Sequence, residues 1–364
     1  MGPIHMINVT KTYLPDREKF KQYVDRIFDS GWITNNGELV KILQQKLSDY
    51  LKVKHIHLVS NGTTSLQIAY KALGLTGEVI TTPFSFVATT SSLVWEGLTP
   101  VFVDIDELTY CINTDKIEEK ITERTSAIVA THVFGNTCNI EEIERIARKY
   151  NLRVIYDAAH SFGVKYKGRS VYSYGDISIA SFHSTKVFHT IEGGALIMND
   201  DTVYEKVKNM SNFGITGPEQ IIGLGINAKI NEFEAAMGLC LLDEIDENIR
   251  RRERVYSLYR DTFVEEPRIK LQEWNADGSY NYGYFPLVFE NEEILLKVIS
   301  ALNEKGINPR RYFYPSLDRL SYIDSDYMKV SNSIAERIIC LPLYETLSFR
   351  DQMNIIQTIQ EALD

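Results

Sequence analysis

From about residue 55 the chain alternates short apolar, β-branched runs with longer amphipathic stretches. Residues 55–59 read as a strand and 64–73 as the helix that follows it; 78–81 and 100–103 predict two further strands, with a helix over 87–95 between them. Residues 127–131 precede a helix over 140–150, and the runs 152–156 and 177–182 add two more strands. Glu192-Gly193-Gly194 then reads as a tight turn into a strand ending at Met198. Such alternation predicts an α/β fold, a mostly parallel sheet with helices on both faces, because each parallel strand needs a crossover that covers the sheet. After Asn231 a continuous helical pattern over 232–263 leads from a large domain, residues 1–245, into a smaller α+β domain, residues 246–364. That second unit takes its strand from 284–289 and its helices from 292–305 and 349–363.

A length of 364 residues fits two domains, and 44% hydrophobic with 24% charged residues is the balance of an ordinary globular protein. The net charge of -10 argues against a nucleic-acid or anionic-membrane surface. It leaves room for a local phosphate site, which backbone N–H groups at a helix start build without net positive charge. The longest stretch free of charge, residues 79–95, is too polar and too short to span a membrane. Met1 to Met6 lacks the basic-then-apolar pattern of a signal peptide. Cys111, Cys138, Cys240 and Cys340 are scattered without ligand spacing and read as reduced thiols of a cytoplasmic protein.

In open α/β sheets ligands gather beyond the carboxyl ends of the strands. There the sequence places Asn61-Gly62-Thr63, Pro83-Phe84-Ser85-Phe86, His132, Asp157 and Lys186. Lys186 follows one apolar strand, and Asp157 closes the strand before it. An amine that condenses with an aldehyde and a carboxylate that keeps a pyridine nitrogen protonated are the two groups required by pyridoxal 5'-phosphate. Gly62 and Thr63 open a helix whose first-turn N–H groups suit a phosphate, although Asn61 or Thr63 acting simply as a helix cap is the commoner use. Phe86 is placed to stack on a flat ring, against the more frequent role of an aromatic in the core. His160, three residues past Asp157, is placed to reach a ring oxygen or to steady Asp157. No HxxxH or HExxH spacing joins the histidines, so no metal is expected.

Taken together, Asn61-Gly62-Thr63, residues 83–89, Val103-Asp104-Ile105-Asp106, His132-Val133-Phe134-Gly135, Asp157-Ala158-Ala159-His160-Ser161-Phe162-Gly163, Ser181-Phe182 with Lys186, and Glu192-Gly193-Gly194 resemble the DegT/DnrJ/StrS sugar aminotransferases. Residues 225–236 and Cys340-Leu341-Pro342-Leu343 extend the resemblance over essentially the whole chain. It implies an α/β, fold-type I, aspartate-aminotransferase-like homodimer with shared active sites. By position Lys186 would bond the cofactor aldehyde, Asp157 would pair with the pyridine nitrogen, Phe86 would stack on the ring and His160 would sit beside the ring oxygen. Gly62, Thr63 and Ser181 would hold the phosphate, with Asn227 reaching it from the partner subunit. Members with His at the lysine position act as dehydratases, so Lys186 implies amino transfer. Residues 312–318 lack the Pro-Leu-His that many members place near the sugar, which leaves Tyr314, Asp318 and His189 as sugar-contact candidates.

Residues 9–15, 32–37 and 185–194 look most like the subgroup that makes dTDP-4-amino-4,6-dideoxy-D-glucose. This implies a nucleotide-sugar substrate, glutamate as donor, and a product destined for O-antigen or another glycan. Amination at C3, a galacto product, a UDP- or GDP-sugar, and a non-catalytic cofactor-binding regulator are the competing expectations.

Overall fold

The computed structural model describes residues 6–364, so the reading of the first six residues lies, Met6 apart, outside the described residues. Seven strands form the central sheet: β1 (His55–Val59), β2 (Glu78–Thr81), β3 (Thr99–Phe102), β4 (Thr125–Thr131), β5 (Arg153–Asp157), β6 (Ile177–Ser181) and β7 (Gly194–Met198). Their order is β1-β7-β6-β5-β4-β2-β3, and all run parallel except β7, which pairs antiparallel with β1 and β6. The expected α/β architecture is therefore present.

Side-chain alternation explains why the strands read as continuous apolar runs. Ile128, Ala130, Val154 and Tyr156 join the core on one face, while Ala127, Val129 and Ile155 join the core on the other. A sheet buried on both sides has no polar face to interrupt the pattern. Helices Gly62–Ala72, Val87–Trp95 and Asp201–Met210 cover one face, and Glu38–Leu51, Ile140–Tyr150 and Glu232–Leu242 cover the other.

The long helix expected over 232–263 is two helices, Glu232–Leu242 and Ile245–Phe263. Two acidic residues mark the break. Asp243 is held by Lys19 at 2.8 Å and by Lys46 at 3.5 Å, and Glu244 accepts the hydroxyl of Tyr13. The first helix is apolar on nearly every side and buried; the second is amphipathic, with Val255, Tyr256, Tyr259 and Phe263 in a separate core. One continuous rod cannot serve both environments.

That separate core surrounds an antiparallel sheet of β8 (Ile269–Leu271), β9 (Pro286–Phe289) and β10 (Ile338–Cys340), with helices Glu292–Glu304 and Phe349–Leu363 against it. Asp104, just beyond β3, ties the two parts together. Its Oδ2 accepts the Val330 N–H at 2.8 Å and its Oδ1 the Ser331 N–H at 2.9 Å, capping helix Lys329–Arg337. Among the described residues no helix is long and apolar enough to cross a membrane, and no cluster of His, Cys, Asp or Glu is arranged to hold a metal.

Candidate active site

Register alone brings the strand ends together. Gly194 on β7 faces Val59 on β1 and Ser181 on β6, while Asp157 on β5 faces Thr131 on one side and Ile179 on the other. Beyond this edge lies a cavity of about 340 Å³ lined by Gly62, Thr63, Phe86, Asp157, His160, Ser181 and Lys186. Seven residues named from the sequence thus meet in one place.

The helix start is built for an anion. Asn61 caps it, its Oδ1 accepting the Thr64 N–H at 2.8 Å and the Thr64 hydroxyl at 2.9 Å. Because the cap takes the third N–H of the helix, those of Gly62 and Thr63 have no partner among the described residues and lie at the positive end of the helix dipole. Capping and anion binding are not alternatives here. The turn is seated on Gly194, where a Cβ would lie 2.5 Å from the Asn61 carbonyl carbon and 2.8 Å from the Gly62 nitrogen. Gly193 serves the lysine loop instead, since a Cβ there would meet the Thr190 hydroxyl.

Asp157 is buried, and its Oδ2 accepts the Thr89 hydroxyl at 2.6 Å while its Oδ1 accepts the Ala159 N–H at 3.2 Å. Burial pushes its carboxyl above the usual range, with both hydrogen bonds and the charge of Lys186 opposing the shift. A carboxylate in that state is stabilised by a nearby cation such as a protonated ring nitrogen. Lys186 is half-buried, and its Nζ donates to Tyr284 Oη at 3.3 Å. Burial lowers its affinity for the proton, only partly offset by Asp157 and Tyr312, which favours the nucleophilic neutral amine.

His160 accepts the Phe134 N–H on Nδ1 at 3.1 Å, so its proton resides on Nε2. Burial, with Lys186 adding to it, keeps the ring neutral. The ring lies nearly parallel to those of Phe134 and Phe313, at interplanar angles of 10° and 6°, in a cluster where the two phenylalanine rings also meet at 5.5 Å. Asn281 fixes this segment by donating to the carbonyls of His160 at 2.8 Å and Phe162 at 3.0 Å.

The buried Thr131 hydroxyl lines the cavity with no partner among the described residues. With the two free N–H groups, the glycine-seated turn, the buried carboxylate and the half-buried amine, the residues present fit pyridoxal 5'-phosphate. Gly62, Thr63 and Ser181 suit its phosphate, Asp157 its ring nitrogen and Lys186 its aldehyde.

Four sequence candidates are not brought to this cavity. His189 is buried and fully engaged, donating from Nε2 to the Tyr13 carbonyl at 2.8 Å and accepting the Ile191 N–H at 3.1 Å on Nδ1. Asp318 is a buried structural acceptor for Ser316, Met328 and Asn332. The exposed Tyr314 ring carries the Arg311 guanidinium at 3.7 Å. Of residues 310–318, Arg310, Tyr312 and Phe313 line the cavity, whereas Tyr314 and Asp318 do not. Asn227 is exposed, and its Oδ1 accepts from Lys229 at 2.8 Å. Sequence reasoning overlooked Tyr284, Arg310, Tyr312 and Phe313, which come from the second half of the chain. Thr89, inside a quoted motif, carried no assigned role although its hydroxyl touches Asp157.

A profile of the DegT/DnrJ/EryC1/StrS aminotransferase family matches residues 15–360. The dTDP-4-amino-4,6-dideoxy-D-glucose transaminase of Shigella dysenteriae is 42% identical over 98% of this chain and 98% of its own length. The enzyme of the same name from Escherichia coli is 39% identical over 94% of this chain and 95% of its own. The crystal structure of DesI in the presence of its TDP-sugar product superposes with a TM-score of 0.93 at 31% identity, covering 98% of this chain and 92% of that one. NtdA from Bacillus subtilis with bound cofactor PMP gives a TM-score of 0.89 at 25% identity, over 95% of this chain and 81% of its own. The chain belongs to the DegT/DnrJ/EryC1/StrS aminotransferase family.

Proposed function

We propose that this family member is a pyridoxal 5'-phosphate-dependent aminotransferase that moves the amino group of glutamate onto dTDP-4-keto-6-deoxy-D-glucose. The products are dTDP-4-amino-4,6-dideoxy-D-glucose, for O-antigen or another glycan, and 2-oxoglutarate. The observation that carries the reading is a single cavity holding the half-buried amine of Lys186, the buried carboxylate of Asp157 and the free N–H pair of Gly62 and Thr63. The two relatives named for that product support the choice of sugar.

The cofactor, when bound, supplies an electron-withdrawing pyridine ring and an aldehyde that takes up the amine. The chain supplies the rest. Asp157 would hold the proton on the ring nitrogen, and Lys186 Nζ, whose hold on its proton burial weakens, would take a proton from the substrate carbon and later return it. His160 offers its Nε2 proton to the ring oxygen, Phe86 stacks on the ring, and Gly62, Thr63 and Ser181 hold the phosphate. Asn227 serves the other active site of a two-fold homodimer, a role its exposed position permits. Residues 1–245 form the cofactor domain in this reading and residues 246–364 the smaller one. The cytoplasm suits the activity and the four free, buried cysteines.

The test is to load the purified protein with pyridoxal 5'-phosphate, supply glutamate, and offer 3-keto and 4-keto sugars on dTDP, UDP and GDP. Product mass and NMR are expected to identify an equatorial amine at C4 of the dTDP-sugar, an axial amine marking the rival galacto product. Amination at C3, turnover only of UDP- or GDP-sugars, or cofactor binding without turnover would each overturn the named reaction.

A further inference from the structure

We infer that His189 is a positioning residue for Lys186: it receives an N-terminal strap, residues 7–13, that ties the lysine loop to the cavity wall at 310–313. The inference rests on the aminotransferase reading and adds to it a residue that acts through Lys186.

The strap starts beside the wall. Ile7–Asn8 pairs in parallel with Ile307–Asn308, the Ile7 N–H donates to the Gly306 carbonyl at 2.9 Å, and Asn8 Oδ1 accepts the Asn308 amide at 2.9 Å. Ile7 itself is buried in the second core. Just past that pairing the chain reaches Arg310, Tyr312 and Phe313, which line the cavity. The next strap residue is held by the same body, since the Val9 carbonyl accepts the Leu343 N–H at 3.2 Å. Leu343 follows β10, where Cys340 and Arg310 exchange backbone hydrogen bonds of 2.8 and 3.2 Å.

The other end of the strap lies on the lysine loop. The Tyr13 carbonyl accepts from His189 Nε2 at 2.8 Å, a contact between residues 176 positions apart, while the Tyr13 hydroxyl donates to Glu244 at the helix break. His189 stands in a loop closed at its base by the Phe182 N–H on the Gly193 carbonyl at 2.8 Å and the Thr190 N–H on the Phe182 carbonyl at 2.9 Å. Its Nδ1 accepts the Ile191 N–H at 3.1 Å. Ile191 has a φ of 70°, a left-handed backbone that a β-branched residue adopts only under constraint. One buried imidazole therefore grips both the strap and a strained turn. The ring is rigid, so the position of the Tyr13 carbonyl is passed to residues 189–191 and from there to Lys186. Small displacements of a reacting amine are costly, which gives this link a consequence for the chemistry.

The experiment compares His189→Asn and His189→Gln with the parent holoenzyme. Asparagine offers an acceptor in the place of Nδ1 but is too short to reach Tyr13; glutamine offers a donor in the place of Nε2. In His189→Asn, kcat of the glutamate half-reaction is expected to fall about tenfold or more while KM changes less than about 2-fold, because the amine moves and the binding groups do not. Amide hydrogen exchange across residues 186–193 is expected to quicken about tenfold in the same variant, and His189→Gln to recover most of both effects. Tyr13→Phe releases the strap from Glu244 and leaves every residue of the lysine loop unchanged. It is expected to shift both readouts in the same direction by about threefold, so the inference stays refutable even where a His189 variant does not fold. Parent-like exchange and kcat in His189→Asn or Tyr13→Phe, equal losses in His189→Asn and His189→Gln, or a rise in KM alone would overturn it. Failure of the aminotransferase reading is distinguishable, since the parent itself would then leave glutamate unconverted while hydrogen exchange still decides whether the strap holds the loop.

Discussion

The Thr89 hydroxyl lies 2.6 Å from Asp157 Oδ2, a contact between residues 68 positions apart that joins the helix after β2 to the end of β5. It holds a buried carboxylate whose charged form burial disfavours. Thr89→Val keeps the shape and removes the donor. Stability is expected to fall by about 1–3 kcal/mol, the cost of leaving a buried acceptor unsatisfied, and Asp157 to bind its proton more tightly. Denaturant unfolding measures the first effect and the pH dependence of cofactor absorbance the second; an unchanged absorbance profile would refute the link.

Gly194→Ala places a methyl against the Asn61–Gly62 peptide, with contacts of 2.5 to 2.8 Å that neither backbone can relieve without moving. The displaced turn is expected to weaken pyridoxal 5'-phosphate affinity at least about tenfold, the equivalent of 1.4 kcal/mol. Equilibrium dialysis of the cofactor reads this directly. Wild-type affinity in the variant would mean that the turn does not hold the phosphate.

Lys186→Ala is expected to abolish turnover while changing unfolding free energy by less than about 1 kcal/mol, because its one side-chain hydrogen bond is the long contact to Tyr284. Tyr284→Phe removes that acceptor and leaves the amine in place. In this variant kcat is expected to fall about tenfold with little change in KM for glutamate, a signature of misplaced proton transfer. A rise in KM alone would argue for a binding role.

Stability is expected to decline as pH falls from 6.5 towards 4. Burial pulls His57 from its ordinary 6.5 down to about 4 and His132 down to about 3. Within that window the unfolded chain binds protons that the folded protein refuses, so acid favours unfolding; above 6.5 neither state is protonated and the effect vanishes. For His57 the full loss is about 3 kcal/mol, at 1.36 kcal/mol for each pH unit. Denaturant midpoints across pH should show the slope, and His57→Asn, which retains a partner for the Ser211 hydroxyl, should reduce it. An equally steep slope in the variant would assign the acid sensitivity elsewhere.

Local pattern carried much of the fold. Strands such as β1, β2 and β5 announce themselves through apolar runs, and the residues at their ends are placed by strand direction alone. The limit shows at 243–244, where helical periodicity passes through a break: two acidic side chains held by Lys19, Lys46 and Tyr13 turn the chain, and none of those partners is near in sequence. His189 and Asp318 mark the same limit within the site. Their residue types suit a sugar pocket, but the Tyr13 carbonyl and Asn332 claim their hydrogen-bonding groups.

What the sequence determined was the chemistry available at the sheet edge: an amine, a carboxylate, an imidazole and a helix start with free N–H groups, each fixed by neighbours within a few residues. What tertiary structure decided was which distant groups meet them. Tyr284 reaches Lys186 across 98 positions, and Arg310, Tyr312 and Phe313 close the wall from the second half of the chain. Periodicity and propensity are short-range properties, whereas a cavity wall is set by how two packed bodies dock, here through the Asp104 carboxylate capping a helix 226 residues away.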